Sequence, residues 1–531
     1  MKNTEPAAKS SGTARIRQVL FDVILTVLLF LVVLLGITRS WAKVAFGGVT
    51  VDELIFHIKV PLKGTDTTTI ASYIQNVVFP SALFAVLFLA VFSILPRKER
   101  AYRRRKAAQT GQRVMLRLRL RHGRIWEWEA FVLPCFSAVK SLLIVLLLVA
   151  LEFTALCRDF RIPEYIDQQR HPSVWLQENY ADPASVSITW PEHKRNLIYI
   201  FLESMESSYF SKADGGYYDS SLIPELEALA DENIHFCNRE AQRNGAVSIS
   251  GTTWTIAGMF AQTSGLPLKL SVGGNSMDSY SVFFPGVTSL GDLTQAAGYH
   301  NYILMGSDAS FAGRRNYFEQ HGNYEILDYN WAQQNGKIPQ GYSVFWGFED
   351  SRLIDMAKEK LLEVSAQDEP FNLTLLTVDT HFPNGYRCSL CKNEHDTDYK
   401  DALSCSSRQI AALVQWIQEQ DFHEDTTIVI SGDHLSMSSE LYDEIHDYTR
   451  TVYNCIINPA VEPAAADTRT FSTMDMFPTT LAALGVQIDG DRLGLGTNLF
   501  STRKTLPEEL GVSEFNQNVQ LRSEFYNNLM Y

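Results

Sequence analysis

Three short apolar runs in this 531-residue chain each stop on side chains that bind metal ions or move protons. Asn196–Leu202 runs into Glu203-Ser204, Phe371–Val378 into Asp379-Thr380-His381, and Thr426–Ile430 into Ser431-Gly432-Asp433-His434. Runs of this length, rich in Ile, Leu and Val, read as strands of a parallel sheet buried on both faces. Ligands of open α/β sheets bind beyond the carboxyl ends of the strands. The three tips therefore gather a Glu, a His and an Asp-His pair at one edge, the outline of a metal-assisted site.

Charge is divided along the chain. Residues 1–156 carry 21 Lys+Arg against 9 Asp+Glu, a net of +12, and the remainder carries 25 against 51, a net of -26. So acidic a C-terminal part excludes nucleic acid as its partner. Three apolar stretches approach the roughly 20 residues needed to cross a bilayer. They are residues 19–37, 77–95 and 138–156. The first reads as a retained anchor, because no small-residue cleavage site follows it. The positive-inside rule places the basic loop 97–124, with a dozen Lys/Arg, in the cytoplasm. The C-terminal domain then emerges on the outer side. The expected organisation is a transmembrane module over 1–157, a proline-bearing polar linker over 158–195, a catalytic domain over 196–500 and a tail over 501–531. Val49–Val60 is too charged to span and is expected along the outer membrane surface. Helical stretches such as Leu222–Asn233, Asp350–Val364 and Ser406–Gln418 alternate with the strand-like runs, as in a doubly wound α/β domain. The tail is expected to hold a docking helix.

Cys388, Cys391 and Cys405 stand close together in sequence. Outside the cytoplasm the expectation is a disulfide from Cys405 to Cys388 or Cys391. A zinc knuckle is the alternative, although no fourth ligand has suitable spacing. A nucleophile is offered by Gly251-Thr252-Thr253, ahead of Trp254–Ala261, which can begin a helix. Free N–H groups there favour a phosphate. The ordinary reading of Thr252 or Thr253 is an N-cap.

Taken together, NLIYIFLES, SGTTWTIAGM, LTVDTHFP and IVISGDH, in this order behind a membrane module, resemble the alkaline-phosphatase/sulfatase-like lipid headgroup transferases. GTTWTIAGM, SFAGRRNYFEQHG, LTVDTHFPNGY and GLGTNLFS resemble most closely the phosphoglycerol transferases that decorate periplasmic glucans. The resemblance covers most of residues 196–500. It implies Glu203, Asp433 and His434 as metal ligands, with Thr252 both attacking phosphorus and coordinating the ion. It implies His381 near the substrate phosphate, and Arg314, with Arg315 as the alternative, gripping the phosphoglycerol group. A tryptophan and a histidine of the family appear here as Ala312 and Met305, which leaves glycerol recognition open.

The implied cofactor is one divalent ion, Mn2+ first and Mg2+ or Zn2+ as alternatives. The implied reaction moves phosphoglycerol from phosphatidylglycerol to a periplasmic or cell-surface glycan or glycolipid through a phosphothreonine intermediate, releasing diacylglycerol, at the bacterial inner membrane. A phosphoethanolamine transferase is the nearest alternative, and an inactive membrane sensor is the alternative from another class. The C/S-x-P-x-R maturation motif of a sulfate-ester hydrolase is missing from the sequence.

Overall fold

The computed structural model describes residues 12–46, 71–110, 115–119, 125–129, 138–241, 243–269, 282–438, 441, 444–445, 447–464 and 468–530. The chain divides into two compact units: residues 1–43 with 67–162, and residues 44–66 with 163–531. The segment 49–60 expected along the membrane surface lies outside the described residues.

In the first unit, helix α1 (Gly12–Phe46) contains the 23-residue apolar stretch Val19–Trp41. A second stretch, Ala71–Leu89, is also long and apolar enough to cross a membrane. It includes helix α2 (Phe79–Leu89). Residues 138–156 lie in helix α3 (Ala138–Asp159). Leu25, Leu29 and Val145 form a small shared interior, while Leu143, Leu147 and Phe153 face outward. Arg39 of α1 donates to Glu152 at 2.7 Å and to Asp159, both on α3. Gly36 sits where an added Cβ would lie 3.2 Å from the Glu152 carboxylate. The basic stretch is not an open loop. Leu95–Thr110 is helical, and Met115–Arg119 pairs antiparallel with Ile125–Glu129.

The second unit is built on a six-stranded sheet. Its strands are β1 (Asn196–Leu202), β2 (His300–Met305), β3 (Glu325–Leu327), β4 (Phe371–Leu376), β5 (Thr426–Gly432) and β6 (Asn454–Ile457). The spatial order is β3-β2-β4-β1-β5-β6, parallel throughout except for β6, which runs antiparallel on the edge. The central strand β1 aligns Phe201 with Leu376 of β4 and with Ser431 of β5, so the three runs end at one level. Alternate β1 residues feed the two faces. Leu197, Tyr199 and Phe201 join one apolar cluster, and Ile198, Ile200 and Leu202 the other. This two-sided burial is why the runs are continuously apolar.

Residues 158–195 are more ordered than a linker. Trp175–Asn179 is helical, Ile188–Thr189 pairs with Gln487–Ile488, and Leu176 is buried in the core. Its apolar residues are spaced too sparsely to show this in sequence. The tail is likewise part of the domain. Phe515, Val519 and Tyr526 are buried, and Asn516 accepts from the Ser250 amide at 2.8 Å.

Candidate active site

Glu203 and Asp433 follow the ends of β1 and β5, neighbouring strands, so the sheet itself brings them together. The Glu203 N–H donates to Thr377 Oγ1 at 2.9 Å, and its carbonyl accepts from Thr380 Oγ1 at 2.6 Å. Asp433 Oδ1 accepts the amides of Ser204 and His434 at 2.8 and 2.7 Å. The His434 Nδ1 lies 2.7 Å from the Leu435 carbonyl, which can only accept, so Nδ1 carries the proton and Nε2 turns its lone pair inward. That Nε2 is 3.3 Å from Glu203 Oε1 and 3.5 Å from Asp433 Oδ2.

One donor atom from each of Glu203, Asp433 and His434 lies within 4.8 Å of the others, all three residues being buried. Asp433 Oδ2 is enclosed and has no hydrogen-bond partner among the described residues. A buried carboxylate oxygen left unpaired among a second carboxylate and an imidazole fits a divalent cation. The electrostatics agree. Burial and the charge of Glu203 push Asp433 up to about 8. Burial opposes protonation of His434, but Asp433 and Glu203 outweigh it and raise His434 to about 10. Burial would raise Glu203 as well, yet His381 and His434 hold it well below the usual carboxylate range.

Two hydroxyls meet this cluster: that of Ser204, fully buried and donating to Glu203 Oε1 at 2.8 Å, and that of Thr255 at a helix start. Helix α4 (Thr255–Ser264) starts with Thr255, behind the extended Trp254. Thr255 Oγ1 is 3.2 Å from Glu203 Oε2 and 3.5 Å from His434 Nε2, and the residue is partly exposed. Thr252 is only 1 % exposed, and its hydroxyl donates to the Ile249 carbonyl at 2.8 Å. It also accepts the Ile249 amide at 3.2 Å. Thr252 thus pins a turn three residues before the helix, and the structure does not bring it to the carboxylates.

The α4 start is held in place by close packing. Gln262 accepts from Tyr199 OH and donates to the Gly432 carbonyl, both at 2.8 Å. Gly258 rests on the backbone of Asp433, where an added Cβ would lie 2.0 Å from the carbonyl oxygen. Gly258→Ala is therefore expected to cost about 1–3 kcal/mol by overpacking. It should also displace Thr255 from the cluster. A thermal melt and a turnover assay on the same sample check both effects.

His381 follows β4. Its Nδ1 is 2.8 Å from the Phe382 carbonyl and so carries the proton, leaving Nε2 as acceptor. Burial lowers its pKa despite the nearby Glu203, which keeps the ring neutral. Asp350 accepts the amides of Val378 and Asp379 at 2.7 and 3.1 Å and so shapes this turn. Trp346 lies 4.5 Å from the His381 ring and 5.2 Å from Phe311, an aromatic wall that sequence inspection missed. Arg314 is buried and donates only to carbonyl oxygens of Phe311 and Asp308 among the described residues. Burial lowers it to about 10, with Glu203 the largest opposing charge. Arg315 instead pairs with Asp328 at 2.6 Å and with Glu319 at 3.0 Å. Of the two arginines, Arg314 is the one without a direct ion pair to a carboxylate among the described residues.

The three cysteines converge, but not as a disulfide. Cys388 Sγ is 3.8 Å from both Cys391 Sγ and Cys405 Sγ, against about 2.05 Å for a bonded pair.

A parallel α/β sheet carrying an acid–acid–histidine cluster and a helix-start hydroxyl along its carboxyl edge defines the alkaline-phosphatase/sulfatase-like class. Residues 195–486 match the sulfatase family, to which the chain belongs. It is 36% identical over 302 residues to phosphoglycerol transferase I of Xanthomonas axonopodis pv. citri (strain 306), covering 55% of this chain and 41% of that protein. It is 34% identical over 348 residues to phosphoglycerol transferase I of Escherichia coli (strain 55989 / EAEC), covering 63% and 42%. The chain thus spans about two fifths of the length of these curated relatives. Among solved structures, the integral membrane lipooligosaccharide phosphoethanolamine transferase A of Neisseria meningitidis aligns with a TM-score of 0.48 and 14% identity, over 88% of this chain and 86% of that one.

Proposed function

We propose that this chain transfers phosphoglycerol from phosphatidylglycerol to a hydroxyl of a periplasmic or cell-surface glycan, with Thr255 as the nucleophile. The observation that carries the reading is the Thr255 hydroxyl set against Glu203 and His434 at the start of a buried helix. The phosphoglycerol transferase relatives supply the group transferred.

Glu203, Asp433, His434 and Thr255 would hold one divalent ion, with Mn2+ or Zn2+ matching the oxygen and nitrogen donors better than Mg2+. Such an ion lowers the pKa of a bound hydroxyl and polarises a phosphoryl oxygen. Thr255 Oγ1 gives up its proton and attacks phosphorus, forming an O–P bond as the bond from phosphorus to the diacylglycerol oxygen breaks; that oxygen takes up one proton, so none is gained or lost overall. The α4 N–H groups and the Arg314 guanidinium receive the charge on the phosphoryl oxygens. An acceptor hydroxyl then attacks the phosphothreonine, forming its own O–P bond as the bond from phosphorus to Thr255 Oγ1 breaks; neutral His381 takes the acceptor's proton through Nε2, and the return of a proton to Thr255 Oγ1 restores the free enzyme. Trp346 offers the acceptor sugar an apolar face beside His381. The membrane-spanning helices hold the domain at the lipid surface, with the domain outside the inner membrane.

The test is intact-protein mass measurement after incubation with Mn2+ and either phosphatidylglycerol or phosphatidylethanolamine, with released diacylglycerol followed in parallel. A phosphoglycerol adduct is expected from the first lipid only. A phosphoethanolamine adduct from the second would replace the donor assignment, and no adduct with no diacylglycerol from either would sink the transferase reading. In steady-state transfer, Trp346→Ala should raise KM for the glycan more than it lowers kcat. An unchanged KM would remove Trp346 from the acceptor site.

A further inference from the structure

Away from the carboxylate cluster, Cys388 and Cys391 lie in the segment that follows His381, and Cys405 lies on helix α5 (Asp398–Gln418). Cys388 and Cys405 are buried, and Cys391 is partly exposed. The three sulfurs lie within 4.8 Å of one another, Cys388 being 3.8 Å from each of the others. Metal–sulfur bonds of about 2.3 Å in a tetrahedral site put neighbouring sulfurs about 3.8 Å apart. The spacing is therefore that of an edge in a metal–thiolate site.

Donors lie close to two of the three sulfurs. The Cys391 and Cys405 thiols and the backbone N–H groups of Leu390 and Cys391 all reach the Cys388 sulfur. Gln409 Nε2 lies 3.4 Å from Cys405 Sγ and 3.9 Å from Cys388 Sγ. The nearby His395 is already engaged, its Nε2 lying 2.7 Å from Ser404 Oγ.

We infer that Cys388, Cys391 and Cys405 form a second metal site, a three-sulfur seat for a thiophilic closed-shell cation (Zn2+ or Cu+), with no fourth protein ligand among the described residues. Binding breaks no covalent bond other than S–H: each thiol still protonated gives its proton to solvent as its sulfur takes the cation. The ion clamps the His381 segment to α5. Arg387, which pairs with Asp398 at 3.1 Å and Asp401 at 3.4 Å, makes the same connection through ion pairs. The site stands whether or not the transferase reading does, since it uses none of the same ligands.

The test is metal content of the full chain purified in detergent and loaded separately with Zn2+ or Cu+ under reducing conditions. Wild type should hold one more equivalent of one of these ions than Cys405→Ser does, and Cys391→His should keep that equivalent. Cobalt loading should give a sulfur-to-cobalt charge-transfer band in wild type that Cys405→Ser lacks and Asp433→Asn retains. Because Asp433→Asn empties the carboxylate cluster alone, failure at either site is seen separately. Equal metal content in wild type, Cys405→Ser and the half-exposed Cys391→Ser would overturn the proposal. So would a disulfide between two of these three cysteines, found by peptide mapping of the unreduced wild-type chain.

Discussion

Thr255→Ala is expected to lower turnover by about 1,000-fold or more, because it deletes the attacking oxygen while Glu203, Asp433, His434 and the helix stay in place. Thr255 is partly exposed and helix-initiating, so loss of its hydroxyl leaves the fold intact. Thr252→Ala is the decisive contrast. It removes the side-chain hydrogen bonds to Ile249, a cost of about 1 kcal/mol each, and should leave activity within several-fold of wild type. Thr255→Ser keeps the oxygen and should recover part of the rate. Diacylglycerol release from phosphatidylglycerol vesicles measures all three. If Thr252→Ala is dead and Thr255→Ala is active, the nucleophile belongs three residues earlier and the helix-start assignment fails.

The second large effect concerns the cation. Asp433→Asn should empty the site and abolish turnover, since it replaces an enclosed carboxylate whose second oxygen has no hydrogen-bond partner among the described residues. Without the ion, Asp433 is pushed up to about 8 and His434 to about 10, so near pH 6 both groups hold protons. A cation must expel those protons to bind. Its affinity should therefore rise with pH, by at least about tenfold per unit between pH 6 and 8. Metal titration followed by calorimetry in two buffers of different ionisation enthalpy would count the protons. An affinity flat across that range would mean the ligands are already deprotonated, and full metal content in Asp433→Asn would remove it from the coordination sphere.

The sheet was legible because its strands are buried on both faces, which leaves uninterrupted apolar runs and places the polar residues that end them at one edge. Glu203, His381, Asp433 and His434 followed from that edge alone. Thr255 did not, because the Gly251-Thr252-Thr253 triplet draws the eye to residues that shape the turn before the helix. A signal was present: Gly265 closes α4 in a left-handed cap, and counting back ten helical residues reaches Thr255. Arg314 and Arg315 are adjacent and chemically alike, and only the positions of Asp328 and Glu319 tell them apart. Trp346 comes from a segment far in sequence from Phe311, and no periodic pattern announces a contact of that kind. The three cysteines were foreseen as neighbours, but the distance between their sulfurs exists only in three dimensions.

The register of the central sheet also dictates when in its life the protein can work. β1 takes its partners from strands that begin about 175 and 230 residues later in the chain. Glu203 and the Thr255 hydroxyl are therefore synthesised long before Asp433 and His434. Contacts this distant in sequence form late and slowly. A ribosome-bound chain that has reached α5 holds Thr255 and Glu203 but not yet Asp433 or His434, so the cluster is incomplete. Catalysis must wait for the last parallel strand, so the emerging polypeptide stays inert while its surroundings are full of lipid.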